Sequence, residues 1–157
     1  GKRLDRERMM ATRASDNTLY AAYLNAVGGQ DELVFDGASM LFDPEGKILA
    51  RGASFKEDLL VSDLDMDALL RSRLKYPRMR THTTRGQGEV VLVSKYQPKD
   101  RPALKSNPAP PELSRAEEVY QALVTGCRDY VEKNGFSKVI IGLSGGIDSA
   151  LTATIAQ

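Results

Sequence analysis

The chain has 157 residues, with 22 Lys and Arg against 21 Asp and Glu and a hydrophobic fraction of 41%. This is the balance of an ordinary globular protein, and its near-zero net charge leaves no charge-based reason to expect a nucleic-acid or membrane partner. Cys127 is the single cysteine, which excludes an internal disulfide framework and a cysteine zinc site, and no apolar run reaches membrane-spanning length, so a reducing, cytoplasmic setting is the expectation.

In chain order, Asp5 to about Tyr23 has few breakers, and Met9, Met10, Ala14, Leu19 and Tyr20 fall at roughly helical spacing, so a helix is predicted up to about Asn17, followed by a short strand through Leu24. Val27-Gly28-Gly29-Gln30-Asp31-Glu32-Leu33 reads as a turn-rich loop, whose acids either contact a ligand pocket or the neighbouring domain or, the favoured role, satisfy backbone donors of the turn as Asp31 can. Met40-Leu41-Phe42 and Lys47-Ile48-Leu49-Ala50 flank Asp43-Pro44-Glu45-Gly46, which predicts a hairpin because Pro presets a turn and Gly supplies positive φ. A strand is expected over Asp58–Leu64, a short helix from Met66 to Tyr76, and a strand or ordered tail over Val90–Val93. The arginines from Arg71 to Arg85 read as a solvated face in preference to a contact with a partner subunit, and His82 as a surface residue. Five prolines between Gln97 and Pro111 mark a semi-rigid linker. The expected organisation is a first domain over 1–96, a linker over 97–113 and a second domain over 114–157.

The second domain opens with Ser114 and Glu117, the S-x-x-E pattern of a capping box. Val119, Leu123 and Tyr130 recur at helical spacing, and Asn134-Gly135 is a stop signal. Lys138-Val139-Ile140-Ile141-Gly142-Leu143 reads as a buried parallel strand, and Ala150–Ala156 as a helix. Helix, strand, glycine loop and helix together are the opening of an open α/β sheet. The chain starts inside one helical pattern and stops inside another, so an excerpt of a longer protein is expected.

Between strand and helix lie Ser144-Gly145-Gly146-Ile147-Asp148-Ser149. A glycine pair lets the backbone bend sharply and lets a ligand approach its N–H groups. The helix that starts there adds open donors and a positive dipole end, a setting that binds phosphate oxygens. Asp148 beside phosphates makes sense with a divalent cation between them, or as a helix cap. Walker A does not fit, because no Lys follows the glycines. Gly142-Leu143-Ser144-Gly145-Gly146 also satisfies the G-x-S-x-G pattern of a nucleophile elbow, which would make Ser144 the nucleophile of a serine hydrolase.

The third reading is a resemblance. S-G-G-x-D-S looks like the pyrophosphate-gripping loop of enzymes that cleave ATP to AMP and pyrophosphate, a group that includes synthetases of GMP, asparagine and argininosuccinate. The front part narrows the choice. Lys2–Asn25, the run Val27–Ser39 and Asp43-Pro44-Glu45-Gly46 resemble the C-terminal half of a nitrilase-fold amidase. Within that superfamily, Gly28–Gly37 is most similar to the glutaminase domain of the glutamine-dependent NAD⁺ synthetases. The resemblance covers nearly the whole chain, in that family's domain order.

The resemblance implies an α/β protein: part of an αββα sandwich, then the start of a parallel-sheet domain of the adenine nucleotide alpha hydrolase type. It implies that Gly142, Leu143, Ser144, Gly145, Gly146, Ile147, Asp148 and Ser149 bind ATP, with Asp148 near Mg²⁺. It also implies that glutamine supplies ammonia, which amidates deamido-NAD⁺ to NAD⁺ with AMP and pyrophosphate released, in a homo-oligomer. The family's Glu, Lys and Cys triad is expected before Gly1, so no catalytic residue is carried over to the front part, and the piece alone is expected to be inactive. Gly1-Lys2 matches the Gly-Lys that ends a loop after the family's nucleophile, which places Lys2 near bound glutamine or leaves it a solvated terminal lysine. Cys127 is read as a small buried apolar residue. A nitrilase-fold scaffold without catalysis is the remaining alternative.

Overall fold

The computed structural model describes residues 2–76, 91–95, 102, 104 and 109–157. The elements are α1 (Lys2–Asn17), β1 (Ala21–Tyr23), β2 (Val27–Gln30), β3 (Leu33–Asp36), β4 (Met40–Phe42), β5 (Ile48–Arg51), α2 (Met66–Lys75), α3 (Arg115–Lys133) and α4 (Ile147–Ala156). Strands β1, β4 and β5 form one sheet in the order β1-β4-β5, and β2 and β3 form a separate pair. The α/β class is as expected. His82, Val90, Arg78, Arg80, Arg85 and most of the proline-rich stretch lie outside the described residues. Val91–Val93 is exposed and forms no strand.

The chain divides into two compact units, Gly1–Ala21 with Phe42–Lys47 and Val61–Asn107, and Ala22–Leu41 with Ile48–Leu60 and Pro108–Gln157. In the first unit, α1 buries Ala14 and ends at Thr18, whose φ of 46° closes the helix as Leu19 N–H reaches Ala14 C=O at 3.1 Å. The predicted turn forms: Asp43 Oδ1 accepts the N–H groups of Glu45 and Lys47, both at 2.8 Å. Gly46 has φ 83°, and a Cβ there would stand 2.6 Å from Ala11 C=O, so glycine is required for both reasons. Helix α2 is capped by Asp65, which accepts Ala68 N–H at 2.8 Å, and Arg73 donates to Thr18 C=O at 2.9 Å. Phe42 and Leu69 are buried in this unit.

Two expectations are corrected. Val27–Leu33 is not a loop: β2 and β3 pair antiparallel with Gln30 opposite Leu33, and only Asp31 and Glu32 turn, Asp31 at φ 52°. Strand pairing outweighs the poor strand propensity of Gly28-Gly29. Asp58–Leu64 forms no strand. Asp58 instead bends back to accept Ala53 N–H at 2.9 Å. The capping box at Ser114 and Glu117 is present in both directions. Helix α3 packs on β2 and β3 through Thr125 and Asp129, while Val119, Leu123 and Tyr130 stay exposed.

The segment Lys138–Leu143 is a third correction. It has no regular secondary structure and is mostly exposed, with Ile140 99% accessible, and it pairs with no strand among the described residues. A parallel strand is held only by neighbours on its edges, and these residues supply none.

Candidate functional site

The loop is positioned by what precedes it. Helix α3 stops at Asn134, Gly135 takes φ 73°, and Phe136 N–H returns to Val131 C=O at 3.0 Å, with the Phe136 ring 6.4 Å from that of Tyr130. The chain then runs without regular structure to Ser144, bends at Gly145 (φ 84°) and enters α4 at Ile147. Helix α4 packs back against α3.

Inside the bend, Ser144 Oγ and Ser149 Oγ are 3.1 Å apart, and Ser149 Oγ donates to Gly146 C=O at 2.9 Å. Gly146 N–H points to Ser144 Oγ at 3.4 Å. Gly146 is the N-cap of α4 and no side chain closes the helix end. The cap role considered for Asp148 is therefore not taken, and the first-turn amides stay open to a ligand. The Asp148 carboxylate is exposed and has no hydrogen-bond or ionic partner among the described residues.

Only Gly145 needs glycine for its φ. Gly142 and Gly146 lie outside the left-handed region, and a Cβ would meet nothing within 4 Å at Gly142 and only Ser144 Oγ at 3.6 Å at Gly146. Folding alone does not demand glycine at either position. Space for a ligand against the backbone would.

The structure thus brings Ser144, Gly145, Gly146, Asp148 and Ser149 together at one bend, with Gly142 and Leu143 leading in. The Lys2 side chain lies outside the described residues. Cys127 is half-buried on α3 and lines a cavity of about 320 Å³ with Val124, Val131, Val139 and Ile155. That cavity is at the far end of α4 from the bend and contains no loop residue. Among the described residues, no cluster of three His, Cys, Asp or Glu side chains forms a metal cage. No described helix is long and apolar enough to cross a membrane.

Residues 3–73 match the carbon-nitrogen hydrolase family model, and residues 119–157 match the NAD synthase model. The chain is 44% identical over 99% of its length to a glutamine-dependent NAD(+) synthetase of Thermotoga maritima, and 43% identical over 96% to that of Aquifex aeolicus. This chain is similar to glutamine-dependent NAD(+) synthetases along nearly its whole length. It spans 27% and 26% of those two relatives. A solved glutamine-dependent NAD+ synthetase of Acinetobacter baumannii, in complex with ADP, superposes with a TM-score of 0.66 at 38% identity, covering 99% of this chain and 23% of that one.

Sequence reading missed one feature. Asp129 is buried on α3 and accepts Gly29 N–H at 2.8 Å, and Lys133 Nζ donates to Gly29 C=O at 2.5 Å. The signal available was Gly126, a poor helix former in the middle of a helix. A Cβ at Gly29 would lie 3.1 Å from Gly126 Cα, so the two backbones nearly touch. Hydrogen bonding from Gly29 holds the Asp129 carboxyl below its usual range despite burial, and Arg128 and Lys133 add to the effect.

Proposed function

We propose that the full-length protein containing this chain makes NAD⁺ from deamido-NAD⁺, ATP and glutamine, releasing AMP, pyrophosphate and glutamate. The observation that carries the reading is the open N-terminus of α4 behind an S-G-G-x-D-S bend, in a chain similar along its length to enzymes named for that reaction. On this reading 1–96 belongs to an amidase of the nitrilase-like αββα type, 97–113 is a linker and 114–157 begins the ATP-binding domain.

The residues fit ATP and Mg²⁺ on chemical grounds. Backbone N–H groups of the first turn of α4, which no side chain closes, suit phosphate oxygens, and the Ser144 and Ser149 hydroxyls, which bond within the bend, can turn to a ligand. Mg²⁺ commonly takes one or two carboxylates, the rest of its shell being phosphate and water, so a lone exposed Asp148 is sufficient protein contribution. When bound, the cation neutralises charge on the departing pyrophosphate. The loop's part is to hold that end of the nucleotide, with Gly142 and Gly146 giving it room. Lys2 is assigned to the glutamine side.

The test is pyrophosphate release by the full-length protein supplied with deamido-NAD⁺, ATP and glutamine. Asp148→Ala is expected to abolish it. Retained release in that variant removes the role given to Asp148, and no release by the unsubstituted protein removes the reading.

A further inference from the structure

Resting on that reading, we propose that Asp129 and Lys133 are positioning residues: they tie the amidase-like hairpin to the helix leading into the nucleotide loop, and the tie couples glutamine hydrolysis to the use of its ammonia.

The hairpin β2–β3 lies in the span that matches the carbon-nitrogen hydrolase model, and α3 from Val119 lies in the span that matches NAD synthase. Both fall within one compact unit. The pairing register explains why Gly29 is the point of attachment. Gly37 N–H bonds to Ala26 C=O at 2.9 Å, and opposed pairs alternate between bonded and non-bonded along an antiparallel ladder. Gly28 with Phe35 is then a bonded pair and Gly29 with Val34 is not. The polar groups of Gly29 therefore face away from β3, along an edge that needs other partners.

Helix α3 supplies both. Asp129 Oδ2 takes the N–H and Lys133 Nζ takes the C=O, while Lys133 Nζ stands 3.5 Å from Asp129. Arg128 holds the other carboxylate oxygen at 3.0 and 3.1 Å. Glycines permit the approach: a Cβ on Gly28 would stand 2.6 Å from Asp129 Oδ2. A carboxylate and an ammonium one helical turn apart thus replace the missing neighbour strand. A surface that needed only apolar burial would not require a charged pair at backbone hydrogen-bond distance, whereas a tie that fixes register does.

The experiment uses the full-length protein and two nitrogen sources, glutamine and an ammonium salt, with NAD⁺ and glutamate both measured. Asp129→Ala removes the acceptor, Asp129→Asn keeps an acceptor without the charge, and Lys133→Gln changes a side chain that is 59% exposed. Losing a charged hydrogen bond is expected to lower glutamine-dependent NAD⁺ formation about tenfold in Asp129→Ala. Ammonium-dependent formation should stay within about twofold, as for a change that leaves the synthetase site untouched. Glutamate released per NAD⁺ should rise correspondingly, with Asp129→Asn and Lys133→Gln intermediate. An unchanged glutamate ratio in Asp129→Ala and Lys133→Gln overturns the proposal. So does a parallel fall of both activities in Lys133→Gln and Asp129→Asn, which marks a general structural role. If the unsubstituted protein makes no NAD⁺ from either source, the reading beneath the proposal fails first.

Discussion

Ser144 Oγ and Ser149 Oγ face each other at 3.1 Å across the bend into α4. Ser149 donates its proton to Gly146 C=O, so the proton between the two hydroxyls is that of Ser144. A serine nucleophile needs its proton aimed at a base. Here it points at a second serine. A fluorophosphonate label is therefore expected to leave the full-length protein without an adduct at Ser144, read by intact and peptide mass. An adduct that disappears in Ser144→Ala would restore the hydrolase reading.

Phe42 is fully buried. Nothing polar compensates for its removal, so Phe42→Ala loses transfer energy and leaves a cavity. The expected cost is about 3–5 kcal/mol, measured by denaturant unfolding. A cost under about 1 kcal/mol would mean that the site collapses around the smaller side chain.

Ser114 and Glu117 satisfy each other's backbone N–H at the start of α3, at 2.8 and 3.3 Å. Hydrogen bonding from Ser114, through its side chain and then its backbone, holds the Glu117 carboxyl below its usual range. Ser114→Ala is expected to destabilise the helix by about 1 kcal/mol. It should also move the Glu117 titration upward toward its ordinary value, followed by NMR. A Glu117 titration unmoved by the substitution would show that the hydroxyl contributes nothing.

The difference between what was legible in the sequence and what was not follows the range of the interaction. The Asp43–Gly46 turn and the Ser114–Glu117 cap are fixed by neighbours a few residues apart, and both form as read. The loop residues Ser144–Ser149 are contiguous, so their meeting at one bend was also legible. Gly28-Gly29 was not, because glycine favours loops locally while its strand pairing and its contact with Asp129 come from elsewhere; the latter spans 100 residues. The burial expected for Lys138–Leu143 fails for the same reason: β-branched residues favour an extended chain, but burial needs facing elements. On α3 the apolar positions Val119, Leu123 and Tyr130 face outward, and the helix packs by a small polar face instead. A hydrophobic stripe reports which face can be buried, not which neighbour is present.

The contact of Asp129 with Gly29 carries a pH dependence whose sign is fixed. Hydrogen bonding from Gly29 N–H lowers the folded-state pKa of Asp129 below the ordinary aspartate value of 3.8. A carboxyl with a depressed folded pKa contributes stability above its unfolded pKa and loses it as pH falls through the folded one. The contact should therefore be strongest with the carboxylate ionised and weaken as pH falls through a folded-state pKa below the ordinary aspartate value. The Gly29 amide proton resonance reads this directly, since its acceptor becomes neutral on protonation. It should shift with an inflection below 3.8, and Asp129→Asn should remove the inflection. An inflection at or above 3.8 would mean that Gly29 does not favour the ionised carboxylate, and that the contact is too weak to act as a tie.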